Sequence, residues 1–175
     1  MSEVKLVKAA QRGNKKAFDQ LLERYENQLF RTAYGILGNR DDALDAVQDT
    51  FWQCFKSISR LTNPEVFKSW ITKILVNKCM DLIRKNKRMV VWEDLSQFPQ
   101  TQVEKDKELS MDMTAAIGRL DEKYRLILSL RYFQDLSIND IAQILDCPEG
   151  TVKSRLNYAL IKLRKELGYN VEVAK

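Results

Sequence analysis

Histidine does not occur in this chain of 175 residues. Its absence removes the imidazole general base and the commonest side-chain ligand of zinc and copper. No Cys-x-x-Cys pair and no glycine-rich phosphate loop takes its place, so neither a thiolate metal centre nor a nucleotide cradle is encoded. No cofactor or metal is expected, nor any enzymatic chemistry by this chain alone. The three cysteines, Cys54, Cys79 and Cys147, are isolated and odd in number. They fall mostly on apolar faces, the pattern of reduced core thiols rather than of a disulfide framework. Only three prolines and six glycines interrupt the chain, so helices should dominate. No apolar run approaches membrane-spanning length, and the start MSEVKLVKAAQRG lacks a signal-peptide core. A cytoplasmic protein without direct membrane insertion is the expectation.

What is present is a soluble globular composition, 45% hydrophobic and 30% charged, with a net charge of +5. A basic balance favours a polyanionic partner without specifying one. The most informative stretch is LSINDIAQILDCPEGTVKSR, from Leu136 to Arg155. Ile138, Ile141, Ala142 and Leu145 recur at helical spacing, with Ser137 as N-cap and Asp140 placed to close a capping box. Asp146 and Cys147 break the pattern, and Pro148 suits the first turn of a second helix. There Val152, Leu156, Ala159, Leu160 and Leu163 form an apolar stripe. Two short helices, a tight turn and a basic second helix make a helix-turn-helix. Lys153, Ser154, Asn157 and Tyr158 lie opposite the stripe, where such motifs read base edges, and Gly150 and Thr151 at the helix start suit a phosphate oxygen. An ordinary helical hairpin with a solvated polar face fits this stretch as well.

Upstream, Val4 to Arg12 reads as a short helix ended near Gly13. Asn14 caps a long one carrying Phe18, Leu21, Leu22, Tyr25, Leu29, Ala33, Ile36 and Leu37 on one face, closed at Gly38. Asn39 or Asp41 starts a third helix, with Leu44, Val47, Phe51, Phe55 and Ile58 as its expected stripe. After a loop from Ser59, Pro64 opens a fourth helix reaching about Arg88, with Phe67, Ile71, Leu75, Cys79 and Leu82 as its apolar side. Lys73, Asn77, Asp81, Arg84 and Arg88 run down another face that ends in the basic run RKNKR. That face is either a solvated surface or a nucleic-acid contact, and Asn77 beside the basic run favours the second. Periodicity disappears from about Met89 to Leu109, where Pro99 and mixed charges read as a linker, although Val90, Val91 and Trp92 can dock back. The expected architecture is all-α: a helical unit over 1–90, a flexible linker over 91–110 and a helix-turn-helix unit over 111–175.

These segments together resemble the sigma-70 family of bacterial RNA polymerase sigma factors, in its small extracytoplasmic-function (ECF) group. The resemblance rests on DALDAVQDTFWQCFKSI (42–58), on NPEVFKSWITKILVNKCMDLIRKNKR (63–88) and on LDEKYRLILSLRYFQDLSINDIAQILDCPEGTVKSRL (120–156). It implies that Leu44, Asp45, Gln48, Asp49 and Trp52 dock on the clamp helices of the polymerase β′ subunit, although Leu44 and Trp52 can equally be core. It implies that Leu61, Asn63 and Phe67 hold a base flipped out of the −10 promoter element. Asn77 and Asp81 would approach non-template bases, with Lys73, Arg84, Lys85, Lys87 and Arg88 on phosphates. The second unit would read the −35 element through Lys153, Ser154, Asn157 and Tyr158, with Arg155, Gly150 and Thr151 on the backbone.

The resemblance further implies a contact with the polymerase β flap through Leu126, Leu130 or Phe133, and an anti-sigma factor, often membrane-anchored, as regulator of a chain that is monomeric when free. Glu93, Asp94, Glu104, Asp106 and Glu108 would imitate nascent RNA in the linker, or simply solvate it. Ile71 and Leu75 depart conservatively from many relatives. Two other readings stay open: a self-sufficient operator-binding regulator, and an interaction protein without DNA contact.

Overall fold

Asparagines set the entry of the first two long helices in the computed structural model, which describes residues 2–92 and 110–168, with side chains over 2–87 and 113–168. After α1 (Glu3–Gln11), the Asn14 side chain accepts from the Ala17 N–H at 3.1 Å and starts α2 (Lys15–Leu37). Gly38, at φ 69, closes α2 by donating its N–H to the Tyr34 carbonyl at 2.8 Å. That left-handed conformation is open to glycine at little cost. Asn39 then accepts from the Asp42 N–H at 2.9 Å and opens α3 (Arg40–Ser57), whose first turn carries Asp41 and Asp42 against the helix dipole. Two one-turn 3-10 segments, Ile58–Arg60 and Pro64–Val66, lead into α4 (Phe67–Trp92). The second unit holds α5 (Ser110–Gly118), α6 (Glu122–Tyr132), α7 (Ile138–Leu145) and α8 (Glu149–Glu166). Every regular element among the described residues is helical, as composition implied.

The expected face of α4 is the observed one: Phe67, Ile71, Leu75 and Cys79 are fully buried and Leu82 half-buried. The face of α3 is the expected one only in part: Val47 and Ile58 are buried and Phe51 is half-buried. Ala43, Ala46, Val47, Thr50 and Cys54 point inward, while Leu44 and Phe55 face solvent. The reason is steric. α3 packs against both α2 and α4, and small side chains let three helix axes approach more closely than leucine and phenylalanine would. Polar ties fasten the loops to this bundle. The Gln11 amide donates to the carbonyls of Ile58 (3.1 Å) and Leu61 (2.6 Å). The Tyr25 hydroxyl donates to Glu3 at 2.7 Å, and burial together with that carboxylate pushes its pKa well above the usual range.

In the second unit the capping box forms as expected: Ser137 Oγ accepts from the Asp140 N–H at 3.0 Å, and the Asp140 carboxylate accepts from the Ser137 N–H at 3.2 Å. Asp146, left-handed at φ 51, ends α7, and Pro148 stands at the N-cap of α8, one residue earlier than the sequence suggested. Val152, Ala159 and Leu163 are buried; Leu156 and Leu160 are half-buried.

The two units do not stand apart. α2 lies against α5 and α6, and α4 lies against α7, so the buried side chains form one continuous core. The Gln28 amide donates to the Phe133 carbonyl at 2.9 Å, and the fully buried Gln134 amide donates to Thr32 Oγ1 at 2.9 Å. Gly35 brings the α2 backbone so close to α6 that a β-carbon there would collide with Ser129 Oγ and come within 2.9 Å of the Phe133 ring. The packing is imperfect. Arg125 Nε, Ser129 Oγ and Gln134 Oε1 are buried without a hydrogen-bond partner, each at a cost of about 1–3 kcal/mol. Burial also pulls the Arg125 pKa below its ordinary value.

Cys54 and Cys79 are fully buried, and desolvation pushes both thiols up to about 12. Cys147 is only half-buried. Only thiolate reacts with a disulfide reagent. At pH 8 the native chain should therefore release one equivalent of thiol quickly through Cys147, and all three only after denaturation; three equal fast rates would contradict the packing. Because both folded values lie above the unfolded value of 9.0, the folded state keeps these protons longer. Their contribution is complete below pH 9.0 and is lost as pH rises towards 12, by up to ~1.4 kcal/mol per thiol per pH unit.

Candidate nucleic-acid and polymerase-docking surfaces

The exposed side of α8 follows from its period. With Val152, Ala159 and Leu163 turned to the core, Lys153, Ser154, Arg155, Asn157 and Tyr158 are left on the surface, Tyr158 at 62% exposure. Gly150 is exposed and Thr151 half-buried. The Thr151 N–H already bonds the Pro148 carbonyl at 3.0 Å, so its hydroxyl is the group left for a phosphate. One acid stands among these cations. Glu149 lies 3.8 Å from the Lys153 ammonium and accepts from the Asn139 amide at 3.0 Å. Sequence reading passed over it, although an acid at i and a lysine at i+4 is a readable pair.

Lys73, Asn77, Asp81 and Lys85 form one line along α4 at steps of four, all exposed, with Arg84 beside them. Arg84 is held by Asp81 at 3.2 Å. Lys87 reaches Glu122 of α6 at 2.7 Å, and Lys73 donates to the Gln143 carbonyl of α7 at 3.4 Å. The Arg88 side chain lies outside the described residues, as do the linker acids Glu93, Asp94, Glu104, Asp106 and Glu108, and the side chains of Val90, Val91 and Trp92.

The base-pocket expectation needs correction at two positions. Phe67 is fully buried, edge-on to Tyr25 at 5.5 Å, and Leu61 is 9% exposed, so both belong to the core that supports the loop. Asn63 is exposed, with its side chain accepting from the Glu65 N–H at 3.0 Å. The apolar group that this segment does present is Val66, which no periodicity singles out.

On α3 the residues named for docking do share one surface. Leu44, Gln48 and Trp52 are spaced four apart and exposed, with Asp45 and Asp49 alongside. Phe55 extends the patch: its ring stacks on Trp52 at 6.3 Å, and the Lys56 ammonium lies 4.5 Å from the centre of the Trp52 ring. Leu44 and Trp52 are thus surface residues, and the core alternative for them falls. Of the three flap candidates, Leu130 is fully buried, and Leu126 and Phe133 are half-buried. Among the described residues no cluster of acids and cysteines could hold a metal ion, and no helix is long and apolar enough to cross a membrane.

A helix-turn-helix with an exposed basic face is thus joined to a helical unit that carries a second basic face. Family comparison is specific on both units. The model of Sigma-70 region 2 matches residues 21–89, and that of Sigma-70, region 4 matches residues 116–165. RNA polymerase sigma factor SigV of Bacillus subtilis is 35% identical over 143 residues, covering 82% of this chain and 86% of that protein. ECF RNA polymerase sigma factor SigW of the same organism is 29% identical over 178 residues, covering 93% and 95%. Among solved structures, CnrH in complex with the cytosolic domain of CnrY superposes with a TM-score of 0.71 at 25% identity, covering 95% of this chain and 97% of that one. The sigma factor RpoE of Bartonella quintana, in complex with the anti-sigma factor NepR, gives a TM-score of 0.73 at 26% identity, covering 89% and 99%. The chain belongs to the sigma-70 family, as an ECF RNA polymerase sigma factor.

Proposed function

We propose that this chain confers promoter specificity on core RNA polymerase by capturing promoter DNA at two points, and that it performs no reaction of its own. The observation that supports the reading is the joint exposure of two basic surfaces and a separate amide and aromatic patch on one chain. Lys153, Ser154, Asn157 and Tyr158 read the −35 duplex, with Arg155, Gly150 and Thr151 on its backbone. Lys and Asn side chains match base-edge acceptors, and cations on phosphate supply affinity that falls with salt. Asn63 and Val66 in the loop before α4, with Asn77 and Asp81, face the unstacked −10 strand, and Lys73, Arg84, Lys85, Lys87 and Arg88 take its phosphates. Leu44, Asp45, Gln48, Asp49 and Trp52, extended by Phe55, form the seat for the β′ clamp helices: an apolar and amide centre with charges at its edge suits a protein partner. The flap contact falls to the half-buried Leu126 and Phe133.

An anti-sigma factor is the assigned regulator. Support comes from the similar structures, which are complexes of CnrH with CnrY and of RpoE with NepR. The chain works in the cytoplasm as a free monomer, or at the inner membrane face when its regulator is anchored there.

Run-off transcription on host genomic fragments, with purified core polymerase, tests the reading. Transcripts with fixed starts should appear only when this chain is added; no new starts would remove it. Lys153→Ala should weaken promoter binding by about 1–3 kcal/mol on the native −35 sequence and much less on a scrambled one. An equal loss on both would argue against base readout. Gln48→Ala combined with Asp49→Ala should lower affinity for core polymerase measured without DNA, and unchanged affinity would move the docking seat elsewhere.

A further inference from the structure

Glu149 is the acid that stands among the cations assigned to the −35 element. It opens α8, and Glu149, Lys153 and Asn157 follow at steps of four, so they form one row along the helix. Phosphates repel an acid on a surface that must approach DNA, and its place in this row calls for a donor on the DNA. A solvated pair with Lys153 is the plainer account, and two observations go beyond it. The carboxylate is tethered: Oε1 accepts from the Asn139 amide at 3.0 Å, and Asn139 in turn accepts from the Gln143 amide at 2.9 Å. The ammonium does not close on the other oxygen. Oε2 lies 3.8 Å from Lys153 Nζ, beyond the roughly 2.7–2.9 Å of a charge-assisted hydrogen bond. Both side chains are open to solvent, the lysine 64% and the glutamate 47% exposed. Oε2 therefore keeps lone pairs for a donor and Nζ keeps protons for an acceptor, side by side at the start of the recognition helix.

The major groove offers few donors. Cytosine N4 and adenine N6 carry them, and every other polar atom on its base edges accepts. A carboxylate there selects an amino group and rejects guanine and thymine, whereas an ammonium selects O6 and N7 of guanine. A G·C pair sets those two acceptors next to the N4 donor, which matches an ammonium and a carboxylate standing beside each other. An A·T pair fits less well, because its amino group lies between two single acceptors.

We propose that Glu149 is a specificity-determining residue of the −35 contact, reading one G·C pair jointly with Lys153: the lysine donates to guanine O6 and N7, and the carboxylate accepts from cytosine N4. The inference rests on the promoter reading above. On binding, the two side chains give up each other for the base pair, so neither charge is left without a partner. At an A·T pair with thymine in place of the cytosine, O4 faces the carboxylate and no donor satisfies it. Asn139 is then a positioning residue on α7, acting through the carboxylate it holds.

Promoter binding by the holoenzyme tests this, on duplexes built around a start site mapped by run-off. Each −35 G·C pair is altered one group at a time. N4-methylcytosine puts a methyl group where the major-groove N4 proton stands, and 7-deazaguanine removes the N7 acceptor. At one pair, N4-methylcytosine should weaken binding of the wild type about tenfold and of Glu149→Ala by no more than about twofold. At that same pair, 7-deazaguanine should weaken the wild type but not Lys153→Ala. Glu149→Gln keeps an acceptor oxygen on the same stem and should recover part of the sensitivity to N4-methylation, and Asn139→Ala should lower it. Glu149→Ala should also bind a scrambled −35 duplex more tightly than the wild type, since it lacks the charge that phosphates repel.

Equal losses from N4-methylcytosine in the wild type and Glu149→Ala at every pair would overturn readout by the carboxylate. Sensitivity to the two altered bases at different pairs would overturn the joint reading. Sensitivity to N6-methyladenine instead of N4-methylcytosine would overturn the choice of a G·C pair. If the wild-type holoenzyme binds native and scrambled −35 sequences equally, the promoter reading itself fails, a result that loss of the Glu149 contact alone would not produce.

Discussion

α2 is the element on which both halves of the molecule depend. Its buried face, from Phe18 through Leu21, Tyr25, Leu29, Ala33 and Ile36, organises α1, α3 and α4. A second row at Gln28, Thr32 and Gly35, spaced four and three apart, receives the helix-turn-helix unit. The two rows differ in chemistry. The first is hydrophobic and closely packed, and each large side chain fully buried there contributes roughly 1.5–3 kcal/mol. The second is amide, hydroxyl and bare backbone, whose hydrogen bonds contribute about 0.5–1.5 kcal/mol each after exchange with water. One helix therefore presents an apolar row on one side and a row of amide, hydroxyl and bare backbone on the other, both within one continuous core.

The same economy governs the surface charges. Lys153 pairs with Glu149, Arg84 with Asp81 and Lys87 with Glu122, so several of the cations assigned to DNA are already neutralised within the chain. These are exposed pairs of low net strength. Exchanging a carboxylate for a phosphate costs little, and it makes the affinity for DNA depend on salt and on how many pairs must be given up. Trp52 and Phe55 behave differently: exposed, stacked aromatic rings with a lysine over one of them are a surface that gains from being covered.

Much of this was legible beforehand. The capping box at Ser137 and Asp140, the Asn14 and Asn39 caps, the Gly38 stop and the buried face of α4 are local rules, and local rules can be read from a sequence. On α3 hydrophobicity points to Leu44 and Phe55 as well as to Val47 and Ile58, whereas close three-helix packing selects Ala43, Ala46 and Thr50 beside the latter two. The resemblance implies Phe67 and Leu61 at the −10 pocket, whereas both are buried in the core. The contact between the units left one signal, a glycine in the interior of a long helix. Gly35 costs about 1 kcal/mol relative to alanine there, which marks a close approach but not its partner. Gln134 gave no signal at all, because a buried glutamine is defined by what it meets.

The measurement that bears most directly on this arrangement is small-angle X-ray scattering of the free, monomeric protein at moderate salt. A closed chain of this length should have a radius of gyration near 16–18 Å, as for a single compact domain. A value above ~22 Å, with the paired-distance profile of two separate bodies, would mean that the units swing apart on their linker. The α2–α6 contact would then not describe the protein in solution.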